Sequence, residues 1–276
     1  MNVFLELIRY KNCLMAGFAA VIGGGIAYNA APGNILWLPL VFITVFFITG
    51  AGNAINDYFD AGIDAVNRPD RPIPSRRLRK GSAYKFSIVL FACGIITAYS
   101  IGTVPFLIGL FNSLLLYVYA FSLKRKVFVG NLSVSYLTGS TFLFGGAAYG
   151  LIGIKAILVL FFLSMLATLA REIVKVIEDM EGDMLDGAVT LPLRIGERPS
   201  AYIASVVGLI AVLLSPLPYI TGLFKDSYLL MVGIADIVFL YAVFLILKKN
   251  PSASSKYFKV AMFFALIAFI AGSFLR

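Results

Sequence analysis

Asn53-Ala54-Ile55-Asn56-Asp57-Tyr58-Phe59-Asp60-Ala61-Gly62-Ile63-Asp64, followed almost at once by Asn67-Arg68-Pro69-Asp70-Arg71-Pro72, comes straight out of a long apolar run. Asn53, Asn56/Asp57, Asp60 and Asp64 recur at helical spacing, so one face of a helix carries a column of oxygen donors. A second column lies far downstream, in Arg171-Glu172-Ile173-Val174-Lys175-Val176-Ile177-Glu178-Asp179-Met180-Glu181-Gly182-Asp183-Met184-Leu185-Asp186. Of the 14 acidic residues, 10 sit in these two stretches. A chain this apolar has reason to gather its carboxylates at two helix ends when there is a cation to hold.

The surrounding composition sets the class. Of 276 residues, 60% are hydrophobic and 13% are charged. A soluble domain averages about 25% charged residues, so the chain reads as an all-α, polytopic membrane protein. A formal charge of +9 would suggest nucleic acid in a soluble chain. Here it reads first as topology-setting Lys and Arg, and no nucleic-acid partner is expected. The two cysteines, Cys13 and Cys93, lie inside apolar runs, against a disulfide framework or a cysteine metal site. The chain has no histidine, which excludes histidine-ligated metals and histidine general bases.

About 20 apolar residues span a bilayer as a helix. Nine such runs are legible, at 13–30, 35–56, 83–101, 104–123, 131–152, 154–176, 201–220, 228–247 and 257–274. Turn signals separate them at 31–34, Gly102, Gly153, Thr221-Gly222 and Asn250-Pro251. With the N-terminus in the cytoplasm, 20 of the 23 Lys and Arg fall on the inner side, leaving Lys155, Lys225 and Arg276 outside. That bias is the one expected of cytoplasmic loops. The expectation is therefore one domain over 1–276, with nine transmembrane helices around a central cavity open to the cytoplasm. The N-terminus is inside, the C-terminus outside, and the protein is multi-pass in the cell membrane among its lipids. The second and sixth runs both descend from outside to inside, so both columns fall at cytoplasmic helix ends, where they can face one another across a shared cavity.

Asp, Asn and Glu without His or Cys are hard oxygen donors of the kind that suits Mg²⁺, which keeps several waters and is commonly shared with substrate phosphates. Two carboxylate sets around a diphosphate would neutralise it as a leaving group. Arg68, Arg71 and Lys175 would grip its outer oxygens, Arg in bidentate fashion and Lys as a point charge. The apolar helices take a long hydrocarbon chain. Together these parts describe ionisation of an allylic diphosphate beside the membrane and capture of the carbocation by a nucleophile. An Asp-rich helix end taken alone is ordinarily a solvated cap or dipole partner; two, on one membrane side and both interleaved with Arg or Lys, are harder to explain that way. A transporter, the non-enzyme alternative, would place charges near the bilayer midplane, and only Asp236 lies that deep. For Asp236 a hydrogen bond to a residue such as Ser205 or Ser273 is the simpler role. A metal-dependent phosphoalcohol transferase would need Gly after the second Asp of its motif, whereas Ala61 follows Asp60.

The first motif, Asn56-Asp57-x-x-Asp60-x-x-x-Asp64 with Asn67-Arg68-Pro69-x-Arg71-Pro72, resembles that of the UbiA superfamily of intramembrane prenyltransferases. Asp179-x-x-x-Asp183, inside Arg171-Glu172-x-x-Lys175-x-x-Glu178-Asp179, resembles the second. The resemblance implies nine helices and Mg²⁺ bridging the motifs and the prenyl diphosphate. It assigns Asn56, Asp60, Asp64, Asp179 and Asp183 to the metal, with the four aspartates catalytic. It places Arg68, Arg71 and Lys175 at the diphosphate, with Asn53, Asp57, Asn67 and Arg171 in the substrate-binding set beside them. A Tyr and a basic residue near the end of the fourth helix would be Tyr119 and Lys124, with Arg125 an alternative to Lys124. Leu7-Ile8-Arg9-x-x-Asn12-Cys13-Leu14-Met15-Ala16, the run 67–75, and Glu178-Asp179-x-Glu181-Gly182-Asp183 through Thr190-Leu191-Pro192 resemble the branch that builds archaeal ether lipids. That branch implies geranylgeranyl diphosphate as donor and geranylgeranylglyceryl phosphate as acceptor, joined through the acceptor's free hydroxyl. Arg9 and Lys11, or the cluster Arg76-Arg77-x-Arg79-Lys80, would meet the acceptor phosphate, although such a cluster is more ordinarily a membrane anchor. The proton of the attacking hydroxyl would pass to a carboxylate such as Asp64 or Glu178, to the released diphosphate, or to water. Superfamily branches with aromatic acceptors, a quinone precursor or haem, share both motifs and stay open.

Overall fold

The computed structural model describes residues 2–185 and 187–274. Asp186 of the second column and Arg276 of the outer cations lie outside the described residues. Every regular element described is helical, in the order α1 (Val3–Leu7), α2 (Tyr10–Ala30), α3 (Trp37–Asn67), α4 (Lys80–Ile101), α5 (Thr103–Phe121), a 3₁₀ turn (Leu123–Arg125), α6 (Val129–Ala147), α7 (Gly150–Glu178), α8 (Met180–Leu185), α9 (Leu191–Ile195), α10 (Glu197–Leu214), α11 (Leu217–Ile220), α12 (Asp226–Leu247) and α13 (Pro251–Phe274).

Helix length decides where the polar columns fall. α3 has 31 residues and α7 has 29, so at 1.5 Å per residue each is about 45 Å long. The hydrocarbon core of a bilayer is about 30 Å thick. Each helix therefore outruns the apolar layer by about ten residues, and the surplus is the carboxylate-bearing end.

Eight helical segments among the described residues are long and apolar enough to cross a membrane, α10 and α11 counting together as one. The expected run at 131–152 does not qualify on those grounds. Its helix, α6, carries Asn131, Ser133, Ser135, Thr138, Ser140 and Thr141. Several of these spend their hydroxyls on the preceding turn: Ser133 donates to the Val129 carbonyl at 2.8 Å and Ser135 to the Asn131 carbonyl at 2.6 Å. Asn131, Ser133, Ser135 and Ser140 are buried, which is how a polar helix sits inside an apolar protein. The seventh run is not one smooth helix. Pro216 and Pro218, which lack a backbone N–H, divide it into α10 and α11.

The chain forms two compact units, Met1–Lys124 with Ser140–Ile157, and Arg125–Gly139 with Leu158–Arg276. In the first unit α3 is central, packing on α2, α4 and α5. Ile8, Cys13, Ile48, Ala51, Ile55, Leu90, Phe91 and Ala120 form its core. Lipid is as apolar as these side chains, so close packing rather than water exclusion holds such helices together. Gly94 shows how close: a Cβ there would stand 2.6 Å from Ile48 Cγ1. The α3–α4 connection, which sequence alone leaves as a Pro- and Arg-rich loop, is a series of turns. Arg71 N–H reaches the Arg68 carbonyl at 3.1 Å and Leu78 N–H the Pro72 carbonyl at 2.9 Å. Leu78 is buried in a small cluster with Leu7, Ala54 and Ala83, which seats α1 and this connection on α3.

In the second unit α12 and α13 form a tight antiparallel hairpin. Lys249 takes a left-handed conformation at φ 60°, and Asn250 caps α13 by accepting from Ala253 N–H at 3.1 Å. Pro251 follows at the first helical position, where no N–H is needed. Phe239, Ile246, Phe258 and Ala261 pack with Ala170, Ile173, Val174 and Ala204 to make the core. Asp236 accepts a hydrogen bond from the Ser215 hydroxyl at 2.6 Å, and Tyr228 donates to the Ser215 carbonyl at 2.6 Å. The partner of Asp236 is thus Ser215, at the Pro-broken end of α10, rather than Ser205, whose hydroxyl bonds the Ala201 carbonyl.

Candidate active site

In the first unit the α3 column is fully engaged by cations and amides of its own chain. Asp57 and Asp64 are 4% and 6% exposed. A carboxylate so buried needs a partner, since an isolated buried charge is costly. Arg71 supplies one to both, its Nη1 lying 3.1 Å from Asp57 Oδ1 and 2.5 Å from Asp64 Oδ2. Arg9, in a left-handed conformation between α1 and α2 (φ 51°), places Nη2 2.6 Å from the same Asp57 oxygen. Asp60, one turn from each, accepts from Asn56 Nδ2 at 2.8 Å and from the Lys124 ammonium. Three carboxylates and three cations therefore interlock on one face of one helix.

The remaining residues of the first motif take other places. Asn53 donates to the Ile8 carbonyl at 2.8 Å, satisfying the backbone where α1 ends. Asn67, Arg68 and Lys11 are exposed, and Tyr119 is half-buried on α5. Of the two neighbours that spacing left open, it is Lys124 that meets Asp60; Arg125 is exposed.

The second column lies in the second unit. It crosses from α7 to α8, yet Asp183 N–H bonds the Asp179 carbonyl at 2.9 Å, so the two aspartates remain one turn apart through the junction. Arg171 Nη1 pairs with Glu172 Oε1 at 2.8 Å, and Asn131 Nδ2 holds the Glu172 carbonyl at 3.2 Å. Buried Arg171 Nε has no hydrogen-bond partner among the described residues. Glu178 accepts from the Ser252 hydroxyl. Lys175 and Asp179 are exposed and Asp183 is half-buried.

Within the described residues, no three His, Cys, Asp or Glu side chains are gathered into a ready metal centre. The donor chemistry nonetheless fits Mg²⁺. Each column offers carboxylate oxygens one turn apart, and the first adds the Asn56 amide; Mg²⁺ commonly takes only one or two protein carboxylates beside water and phosphate oxygens.

Glu6 was not singled out from the sequence, though it is one of four acidic residues outside the columns. It receives both Arg77 Nη1 and Nη2 at 2.7 Å, and Arg77 also reaches the Asp70 carbonyl at 2.5 Å. The Arg77 hydrogen bonds hold the Glu6 carboxyl below its ordinary 4.5, against the opposing effect of burial. A carboxyl lowered in the folded state stabilises above its ordinary value and loses that contribution as pH falls through the folded one. Glu6→Gln is therefore expected to loosen α1 at neutral pH, while the wild type loosens only below about pH 4.5. Hydrogen exchange of residues 3–9 measures both, and equal protection in variant and wild type at pH 7 would show that the pair does not hold α1.

The profile of the UbiA prenyltransferase family matches residues 16–267. A digeranylgeranylglyceryl phosphate synthase of Methanosarcina mazei is 55% identical over 98% of this chain and 98% of its own. One of Methanococcoides burtonii is 53% identical over 99% of this chain and 100% of its own. A solved structure of a digeranylgeranylglyceryl phosphate synthase superposes with a TM-score of 0.87 at 42% identity, covering 99% of this chain and 98% of that one. A UbiA homologue from Archaeoglobus fulgidus, solved with GPP and Mg²⁺, shares the fold with a TM-score of 0.71 at 16% identity, over 98% of this chain and 99% of that one. With an Asp-rich column on a helix that outruns the membrane, and a family match from α2 to α13, this chain belongs to the UbiA prenyltransferase family of membrane enzymes.

Proposed function

We propose that the protein transfers a geranylgeranyl group from geranylgeranyl diphosphate to the free hydroxyl of geranylgeranylglyceryl phosphate, forming the second ether bond of archaeal membrane lipids. One observation carries the choice of acceptor: the likeness to synthases of that name runs the full length of the chain at up to 55% identity. Bound Mg²⁺ would neutralise the diphosphate and make it a better leaving group.

The chain's own residues divide the rest of the work. Asn56, Asp60 and Asp64 from the first column, with Asp179 and Asp183 from the second, offer the oxygen donors. Lys124, Arg71, Arg68, Lys175 and Arg171 offer cations to the diphosphate oxygens. Asp57 holds Arg9 and Arg71 in place. Tyr119 stands on the helix that leads to Lys124. Lys11, exposed at the start of α2, is the cation for the acceptor phosphate. The apolar helices exclude water from the allylic cation, which water would otherwise quench. The hydroxyl proton leaves to a carboxylate or to the released diphosphate. In this reading residues 1–276 act as one catalytic domain. α6 is the ninth span, its buried Ser133 and Ser135 hydroxyls satisfied by its own backbone and Ser140 accepting from Asn112. The cationic loops and the active site face the cytoplasm, with the N-terminus inside and the C-terminus outside.

The test is incubation of membranes containing the protein with labelled geranylgeranyl diphosphate, Mg²⁺ and a panel of acceptors: the glyceryl phosphate ether, 4-hydroxybenzoate, a naphthoate and haem. Label is expected in the doubly prenylated glyceryl phosphate. Transfer to an aromatic ring alone would move the protein to another branch of its family.

A further inference from the structure

We propose that Lys124 and Arg71 are placeholder cations that hold Asp60 and Asp64 until the metal and diphosphate arrive, and that both then transfer to the diphosphate oxygens. The inference rests on the proposed function and concerns how the same site is loaded.

The charge pattern leads to it. Asp57, Asp60 and Asp64 are matched one for one by Arg9, Arg71 and Lys124. Such a cluster is neutral and stable without metal. It also blocks the metal, because a dication approaching Asp60 meets the Lys124 ammonium already on that carboxylate. Like charges at such range repel strongly in a half-buried site. The three cations are not equivalent. Asp57 is held twice, by Arg9 and by Arg71, so it stays compensated if Arg71 leaves. Among these ion pairs Asp64 has only Arg71, and Asp60 has only Lys124. Departure of Arg71 and Lys124 therefore frees Asp60 and Asp64 and leaves Asp57 bound. The Lys124 ammonium sits on a flexible four-carbon stem that projects from a short 3₁₀ turn, and an ammonium changes partner readily. The released cations are then the ones the diphosphate needs. Metal and diphosphate thus assist one another: the diphosphate draws away the cations that obstruct the metal, and this coupling is reciprocal.

The consequence is a change of sign that a purely structural salt bridge would not produce. Lys124→Gln should bind a divalent cation alone about tenfold more tightly than wild type, a difference of about 1.4 kcal/mol. The same variant should bind the prenyl diphosphate more weakly. The experiment uses the full chain in detergent. Mn²⁺ binding without substrate is read from the electron paramagnetic resonance signal of free Mn²⁺. At saturating Mg²⁺, binding of a geranylgeranyl diphosphate analogue with sulfur in the bridging position, which does not ionise, is read by calorimetry. Arg71→Gln provides a second variant with the same two expected shifts, and Lys124→Arg should restore the wild-type pattern. Lys126→Gln removes the same charge from an exposed position and should leave Mn²⁺ affinity unchanged. Unaltered or weaker Mn²⁺ binding in both Lys124→Gln and Arg71→Gln overturns the proposal. So does an equal gain in Lys126→Gln, which would make the effect one of overall charge. If the wild type binds neither Mn²⁺ nor the analogue, the metal reading of the site fails instead, a result distinct from the others.

Discussion

Asp60→Ala is expected to lower turnover by on the order of 10²–10³-fold, the cost seen when one preorganised electrostatic contact is removed from an active site, while the helical fold persists. Asp60 is the member of the first column with least structural duty. Its partners are Asn56, one turn away on the same helix, and Lys124, half-buried within the 3₁₀ turn. Losing the carboxylate leaves Lys124 able to turn toward solvent, so the stability cost should be modest. The carboxylates of Asp57 and Asp64, by contrast, are buried and tie Arg9 and Arg71 to α3. Asp183→Ala is expected to show a comparable loss. On the proposed function, in which both aspartates serve one diphosphate, the double variant should fall little below either single one, because groups that act as a unit are strongly non-additive. Turnover with the glyceryl phosphate ether and far-UV circular dichroism of the same preparations make the measurement. Near-normal rates in both single variants would remove the metal roles from these aspartates.

Gly145→Ala is expected to cost the protein most in stability, for a reason unconnected with chemistry. A Cβ at this position of α6 would stand 2.1 Å from the Ala20 carbonyl oxygen and 2.6 Å from Gly24 N, both backbone atoms of α2. A flexible side chain can yield to an added methyl, but two helix backbones cannot. α2 and α6 would have to part where Ala20, Gly23 and Gly24 meet Phe142 and Gly145, forfeiting dispersion in a medium that gives no hydrophobic recompense. Overpacking ordinarily costs about 1–3 kcal/mol, and a collision with backbone belongs at the upper end or beyond. Gly233→Ala is the control. A Cβ there has nothing within 4 Å, and alanine favours a helix over glycine by about 1 kcal/mol. Thermal unfolding in detergent should show Gly145→Ala well below wild type and Gly233→Ala at or above it. Equal melting temperatures would mean that the α2–α6 contact is looser than its geometry states.

Much of the first column is readable because helical periodicity is a property of the sequence alone. Asn56, Asp57, Asp60 and Asp64 share a face whatever packs around them, and the length of α3 beyond the bilayer follows from counting residues. The partners were not readable in the same way. Arg9 is 48 residues from Asp57 and Lys124 is 64 from Asp60, and no local rule links such positions. Family resemblance named Lys124 and Arg125 as rival candidates, and only the turn at Leu123–Arg125 decides that Lys124 points its charge at Asp60. Glu6, one carboxylate near the N-terminus, has no periodic signature in the sequence; its meaning comes from Arg77, 71 residues away. α6 reads in sequence as an apolar run although hydroxyls and glycines interrupt it. A window of hydropathy cannot see that the Ser133, Ser135 and Thr138 hydroxyls are bonded back to their own helix.

Composition and spacing determined that the protein is helical, that it lives in a membrane, and that its carboxylates stand in two columns at helix ends. These follow from short-range rules: the length of a helix that spans lipid, the 3.6-residue repeat, and the scarcity of charge. Which cation answers which carboxylate, where Asp236 finds its hydroxyl, and how closely α2 approaches α6 were decided by tertiary structure alone. The reason is that ion pairs and backbone contacts depend on distances through space, and distant parts of a chain acquire those distances only when it folds.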